Sequence, residues 1–510
     1  MKRASTASLV LVFGVMAMAS PLRGSGSKQE AKELLKQCIA TMGGLDRFRG
    51  VESISYNSIE HTFVHSVELS ESLPQTIIYE SHEVVMQLRS NNLSEKTNWR
   101  WTESNAQIDS RMAITPQGGF AEADNKRIPI SASGFYKAID ILAANPISAL
   151  VNAYDSSDFD LQRQTGGTYE ISFRQPVYGQ QVKTTLGISK QTHLLEWIEI
   201  EHSYSQDIFD AFWGPRAKRF VFSGWSLDAS GVHFPLKRLV VMHGRVEGQE
   251  SLFNLKINPE LPASTFTIPD AFKKSFDALF HASAEDLAKG NHGDGDHLDV
   301  RPGVVMLPGK PGAYNSLIVK QDKGIVVIES PYSDANSEYV INYAHKIFPG
   351  TPITGIVSTN QLQFHLAGLP AYAKEHIPIY VVDANVDLVR RFLTAQDDEA
   401  AIHDREVKLR TVWDRTEIGI GLNRMVLIPF RGTTSARMMA VYFPEHKLLY
   451  CSDMYLPQSW GRASWTEHLS EIRDLIDREH IDVQQVLGVS MIPHDWKELS
   501  ALIPAAPTDS

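Results

Sequence analysis

Cysteine is almost missing from this chain. Only Cys38 and Cys451 occur in 510 residues, too few for a disulfide framework or a four-thiolate zinc site. A bond between them would need Cα atoms within roughly 7 Å; one lies in the first helical segment and the other deep in the C-terminal half, so two free, buried thiols are expected. Long apolar runs are missing too. Past the N-terminus nothing approaches the ~18 apolar residues of a membrane-spanning helix, so no integral membrane segment is expected in the mature chain. Positive charge is short: 49 Lys and Arg against 60 Asp and Glu leave a formal net charge of -11. That argues against nucleic acid as a partner, because phosphates select basic faces. There is no P-loop, and Gly419-Ile420-Gly421 lacks the third glycine of a dinucleotide fingerprint. Without a G-x-S-x-G elbow, a serine hydrolase is unsupported.

What is present begins with an address. Lys2 and Arg3 precede an apolar run from about Ala7 to Met16, followed by Ala17-Met18-Ala19. This is the pattern of a removed signal peptide over residues 1–19, and it predicts a periplasmic or secreted protein.

Three stretches follow. Residues 28–269 open with a helix, Lys28 to Met42, in which Ala31, Leu34, Leu35 and Cys38 recur at helical spacing before Gly43-Gly44 stops it. Strand alternation then dominates, as in Ile54–Tyr56, Ile198–Ile200 and Arg219–Phe222, with turns expected at Gly166-Gly167 and Asp228–Gly231. One helical patch, roughly Gly134 to Tyr154, interrupts the strands, and Phe266–Pro269 reads as a last strand leaving the domain. The pattern is similar to the curved antiparallel sheets of periplasmic lipoprotein-carrier and outer-membrane-sorting proteins. That resemblance implies a cradle for an apolar ligand or a structural spacer. Trp99, Trp101 and Trp225 read as sheet-packing aromatics.

Residues 270–299 form a polar linker. Its tract from His292 to Asp299, HGDGDHLD, is rich in metal-ligand types, but such tracts in glycine-containing linkers are usually solvated or bind cations weakly. Residues 300–504 then change character. Continuous apolar strands such as Val304–Leu307 and Ile325–Ile328 precede a helix from about Ser333 to Phe348, the mark of a buried sheet entering an α/β layer.

The motif that carries chemistry is Ile356–Leu369, IVSTNQLQFHLAGL. It resembles the T-H-x-H-x-D-H-x-G-G loop of the metallo-β-lactamase superfamily. Thr359 opens the frame, His365 occupies the last histidine position and Gly368 closes it. Asn360 and Leu362 stand in the first two histidine positions, and Phe364 in the aspartate position. The resemblance covers residues 298 to 500 and implies an αββα sandwich behind a mostly antiparallel β domain. Carried over position by position, the first metal site is lost, because Thr434 stands near its third histidine place and Arg431–Arg437 holds no histidine. Of the second site, the resemblance implies that three groups survive: His365, Asp453 at the end of Leu448–Asp453 with Ser452 in a glycine position, and His494 after Val489–Pro493.

Two readings stay open. In one, His365, Asp453 and His494 hold a single zinc or iron ion, or act without metal as base and acid, on a small molecule carrying an ester, lactone or amide-type carbonyl. In the other, the fold is a non-catalytic ligand-binding or assembly module using an apolar mouth around Leu362 and Phe364. Tyr455, Trp460, Trp465 and Trp496 follow the site residues in sequence, as the wall of an aromatic-lined cavity would. In both readings the partner is a small molecule.

Overall fold

In the computed structural model of the chain, the described residues are 24–503 without 26–27, 64–76, 102–106, 164–166, 204–214, 228–229, 243, 277–278, 280–296, 310–312, 395–406 and 455–465. The expected signal segment 1–19, the tract residues 292–296, and Tyr455, Trp460 and Trp465 fall outside them.

The N-terminal half is one antiparallel sheet of fourteen strands among the described residues. Two meanders meet at its middle, where the strand Arg245–Ile257 pairs with Ser53–Phe63. From that seam one meander runs outward to the edge strand Lys126–Pro129, and the other returns through Phe159–Arg163 to Gly24–Ser25. The period of two is plain in Ile77–Gln87, where His82, Val84 and Met86 are buried while Ser81 and Glu83 are exposed. One face of the sheet closes on the helices Lys28–Thr41, Ala132–Ala143 and Pro146–Asp155, whose Leu35, Phe135 and Leu150 join Ile54, Met86 and Ile198 in a single core. The expected helical patch is thus two helices. Asn145 divides them: its side chain accepts from the N–H groups of Ile147 and Ser148, and Pro146 fits the first helical position. The last strand of the sheet ends at Ile257, so Phe266–Pro269 is not a strand; a short 3-10 turn follows at Asp270–Phe272.

The C-terminal half is an αββα sandwich, as expected. Seven strands between Leu298 and Val412 form one sheet, antiparallel at first and parallel from Ile325–Ile328 onward. Six strands between Thr416 and Asp495 form the other. Met306, Val319 and Ile328 of the first sheet share a core with Leu427, Val441 and Tyr450 of the second, which places the sheets face to face. The outer face of the first sheet packs on the helices Asp334–Ile347, Leu369–Lys374 and Val386–Thr394. The outer face of the second packs on Thr466–Glu479 and Trp496–Ser500. Strands covered on both sides must be apolar throughout, which is why Ile325–Ile328, Met425–Pro429 and Met439–Phe443 are buried at every position. Both cysteines are free and buried. No described helix is long and apolar enough to cross a membrane.

Candidate functional site

The strand Ile353–Ser358 ends on the motif. Thr359 is buried, and its carbonyl accepts from the N–H of Met439 at 3.0 Å, so the loop is tied to the second sheet at once. Asn360 Oδ1 accepts from the N–H of Leu362 at 3.1 Å, a side-chain turn that starts the short helix Gln363–Leu366. Leu362 and Phe364 are 3% and 6% exposed and sit in the core beneath the second sheet with Ile428, Met438 and Leu449. This corrects the expected apolar mouth: the two side chains are interior packing. Gly368 closes the frame because nothing larger fits. A Cβ there would lie 2.0 Å from Ser337 Oγ and 2.8 Å from the Ser333 carbonyl oxygen.

His365 is the centre of the rim, with no exposed surface. Its Nδ1 lies 2.9 Å from Glu329 Oε2 and its Nε2 lies 3.2 Å from Asp453 Oδ2. Glu329, missed by sequence reasoning, is also wholly buried. Its other oxygen accepts from the Thr359 hydroxyl, which stands 2.7 Å from Ser452 Oγ. Ionised carboxylates only accept, so the ring that satisfies both ends is the imidazolium. The electrostatics agree. Burial pulls the His365 pKa down, but the Glu329 charge and the bonds to Asp453 and Glu329 outweigh it and hold the ring up at about 9. Glu329 and Ser452 adopt positive φ of 72° and 56°, a backbone strain of roughly 1–3 kcal/mol each that the surrounding bonds must hold. Ser452 does so in the position where the family loop has glycine. His468, on the neighbouring helix, has the opposite fate. Burial pushes its ring down to about 4, against the pull of Glu471 and Asp453, so it is neutral.

His494 is not part of this arrangement. It is exposed, on the strand Met491–Asp495, paired across from Val486. His365, Asp453 and His494 therefore do not form a three-ligand set. Among the described residues, the one group of three His, Cys or carboxylate donors within 4.8 Å of one another is Glu60, Glu80 and His82, in the other half of the chain. The single zinc or iron site expected on His365, Asp453 and His494 does not fit the rim: two of its donors are in place, both His365 nitrogens are already engaged, and two core hydrophobes fill neighbouring ligand positions. What remains unsatisfied there is a set of hydrogen-bonding atoms. Asn360 Nδ2, Thr434 Oγ1 and Asp453 Oδ1 are buried without a partner among the described residues. Of the tract ahead of the sandwich, His297 Nδ1 lies 2.7 Å from the Tyr343 hydroxyl and Nε2 lies 3.5 Å from Asp299, a local packing role.

The N-terminal sheet carries a second charged centre. A cavity of about 240 Å³ opens between the helix Ala132–Ala143 and the inward face of the strands either side of the seam. Its walls mix charged side chains with Tyr56, Phe220, Val240 and Met242. Lys137 pairs with Glu95 at 3.0 Å, and Lys218 and Arg238 pair with Asp140 and Glu250. Glu60 and Glu80 face His82 instead. Burial pushes the Glu80 carboxyl above its ordinary value despite the charge of Lys137. The pattern was there to read: Glu80 and His82 stand on the inward side of the same alternation as Val84 and Met86.

No family model and no curated protein matches the chain. Solved structures do. The DIM-1 metallo-β-lactamase covers 41% of this chain with 96% of its own length, at 17% identity and a TM-score of 0.31. A metallo-β-lactamase from Pontibacter korlensis aligns over 41% of this chain and 96% of its own at 17% identity, with a TM-score of 0.31. The stereoselective inverting sec-alkylsulfatase Pisa1 from Pseudomonas sp. aligns over 43% of this chain but only 42% of its own, at 12% identity and a TM-score of 0.30. About two-fifths of this chain is similar in structure to metallo-β-lactamase-fold proteins. The sandwich assignment itself rests on the sheet order and on the three cores described above.

Proposed function

We propose that this is an exported small-molecule-binding protein whose hydrolase-like sandwich works without the fold's metal chemistry. One observation carries the reading: both nitrogens of the surviving loop histidine are engaged by carboxylates, with His365 and Glu329 wholly buried and Asp453 partly so. A ring in that state has no free lone pair for a metal and no open path to a substrate proton. The imidazolium instead orients Asp453, and Asp453 Oδ1, the Asn360 amide nitrogen and the Thr434 hydroxyl are each buried without a partner among the described residues. Residues standing in former ligand positions thus offer two donors and an acceptor to a neutral polar ligand. Buried groups of this kind cost roughly 1–3 kcal/mol each while unsatisfied, and a ligand that satisfies them recovers it.

The hydrolytic reading is tested directly. Wild-type protein and Asp453→Asn are assayed on chromogenic esters, lactones and amides, with and without added zinc. No turnover above the variant's background is expected. A rate that Asp453→Asn abolishes would replace binding with catalysis. Export is tested by sequencing the N-terminus of the protein recovered from the native envelope or medium, which should begin close to residue 20.

A further inference from the structure

The sheet register sets an electrostatic problem at the seam of the N-terminal half. Glu60 and Glu80 are direct cross-strand partners, and both turn to the inward face. Like charges directly opposite on adjacent strands repel, and here both carboxylates are mostly buried. Every lysine and arginine of the cavity wall has a carboxylate of its own: Lys137 has Glu95, Lys218 has Asp140, and Arg238 has Glu250. Glu60 and Glu80 have their ion-pair contacts to His82, with Lys137 acting on both and Arg238 on Glu60 through charge alone. Two carboxylates therefore converge on one ring.

The ring is prepared in a particular way. His82 is 3% exposed. Its Nδ1 lies 3.0 Å from Glu95 Oε1 and 3.2 Å from Thr97 Oγ1, and Glu95 is itself held by Lys137 at 3.0 Å. A carboxylate on one nitrogen directs the lone pair of the other outward, the arrangement found behind metal-ligating histidines. Nε2 points at Glu60 Oε2, 3.4 Å away, and Glu80 Oε2, 4.0 Å away, yet has no hydrogen-bond partner. A proton on Nε2 would be shared with Glu60 alone, at 3.4 Å, with Glu80 left 4.0 Å away. An ion would engage both. Ligand atoms about 2.0–2.2 Å from a tetrahedral ion stand roughly 3.4 Å apart, close to the spacing seen here.

We propose that His82 Nε2, Glu60 and Glu80 bind a divalent first-row metal ion, with an open coordination position facing the cavity of about 240 Å³. The ion neutralises the opposed carboxylates, and Glu95 and Lys137 act as positioning residues behind the ring. One imidazole and two carboxylates suit zinc or iron(II). The open position would take a small anionic or carbonyl-bearing ligand.

The test uses the full chain, stripped with chelator and titrated with zinc chloride and, separately, cobalt(II) chloride. One equivalent of each is expected to bind, with the visible d–d absorption of cobalt in a low-symmetry site. Glu80→Gln and His82→Gln should each weaken binding at least ten-fold and remove the absorption. Glu95→Gln should weaken it about 10–100-fold, the range for a partner behind a ligand. Far-ultraviolet circular dichroism and the melting temperature show whether each variant is folded. Should His82→Gln fail to fold, Glu80→Gln decides, because Glu80 lies at the cavity edge, half-buried. Asp453→Asn and His494→Ala should keep one equivalent. Failure to bind either ion, binding unchanged in folded Glu80→Gln, or loss of the ion in Asp453→Asn would each overturn the proposal.

Discussion

At the rim of the sandwich the His365 imidazolium sits between two carboxylates and supplies the positive charge. The arrangement is costly to undo. His365→Gln leaves Glu329 and Asp453 buried without a cation, and breaking a buried pair in this way costs about 3–5 kcal/mol. The urea midpoint should fall accordingly, with little change in the slope. The same ring sets a pH dependence. Its pKa is about 9 folded against roughly 6.5 unfolded. Its contribution is therefore complete below about pH 6.5 and lost as pH rises through 9. His468 works the other way, since burial holds it neutral with a pKa of about 4. Its contribution is complete above about pH 6.5 and lost as pH falls toward 4. Denaturation midpoints across pH 4–10 should show both limbs. Burial pulls His82 down as well, but Glu60 and Glu95 hold it up at about 9, so it feeds the same alkaline limb. His365→Gln should therefore remove its own share of the alkaline limb, and His468→Phe should flatten the acid limb. If the alkaline limb is unchanged in His365→Gln, the ring does not carry the proton assigned to it.

At the scale of elements, the rim is a strand, a turn and a helix whose spacing tolerates almost no change. Gly368 lies where the short helix at the motif passes the start of Asp334–Ile347. Gly368→Ala drives a methyl into Ser337 Oγ and two carbonyl oxygens, an overpacking cost of about 1–3 kcal/mol. Its midpoint should drop by that amount, and Ser337→Ala in the same chain should restore part of the loss. This frame was legible in the sequence through its resemblance to the metallo-β-lactamase loop, whose spacing Thr359, His365 and Gly368 keep. Asp453 was legible through the same resemblance, at the end of Leu448–Asp453. Glu329 directly follows the strand Ile325–Ile328 but belongs to no loop motif, so only the register brings it to His365. His494 misled because it too follows a late strand. Alternation decides the matter: its neighbours Met491 and Ile492 are buried and exposed in turn, and the hairpin carries His494 to the outside. The charged seam was hidden for a different reason. Glu60, Glu80 and His82 lie on one hairpin whose register the sequence does not give, and only the meeting of two meanders brings Arg238 to the same side.

At the scale of the molecule, the chain holds two sets of cores with no residue in common. The N-terminal core draws on residues from Ala31 to Leu252, and the three cores of the sandwich draw on residues from Val300 to Ile503. Cys38 and Cys451 belong to different sets and are not bonded, so no disulfide couples them. Two cooperative units should therefore melt separately in calorimetry, and added reductant should move neither transition. Phe135→Ala empties a wholly buried site in the N-terminal core and costs about 3–5 kcal/mol. At about 2–4 °C per kcal/mol for units of this size, one transition should fall by about 6–20 °C while the other holds. His365→Gln should move the transition that Phe135→Ala leaves alone, and zinc bound at the seam should raise the transition that Phe135→Ala lowers. A single transition shifted by both substitutions would mean that the halves share more than their chain, and the seam and the rim would then have to be treated as one coupled system.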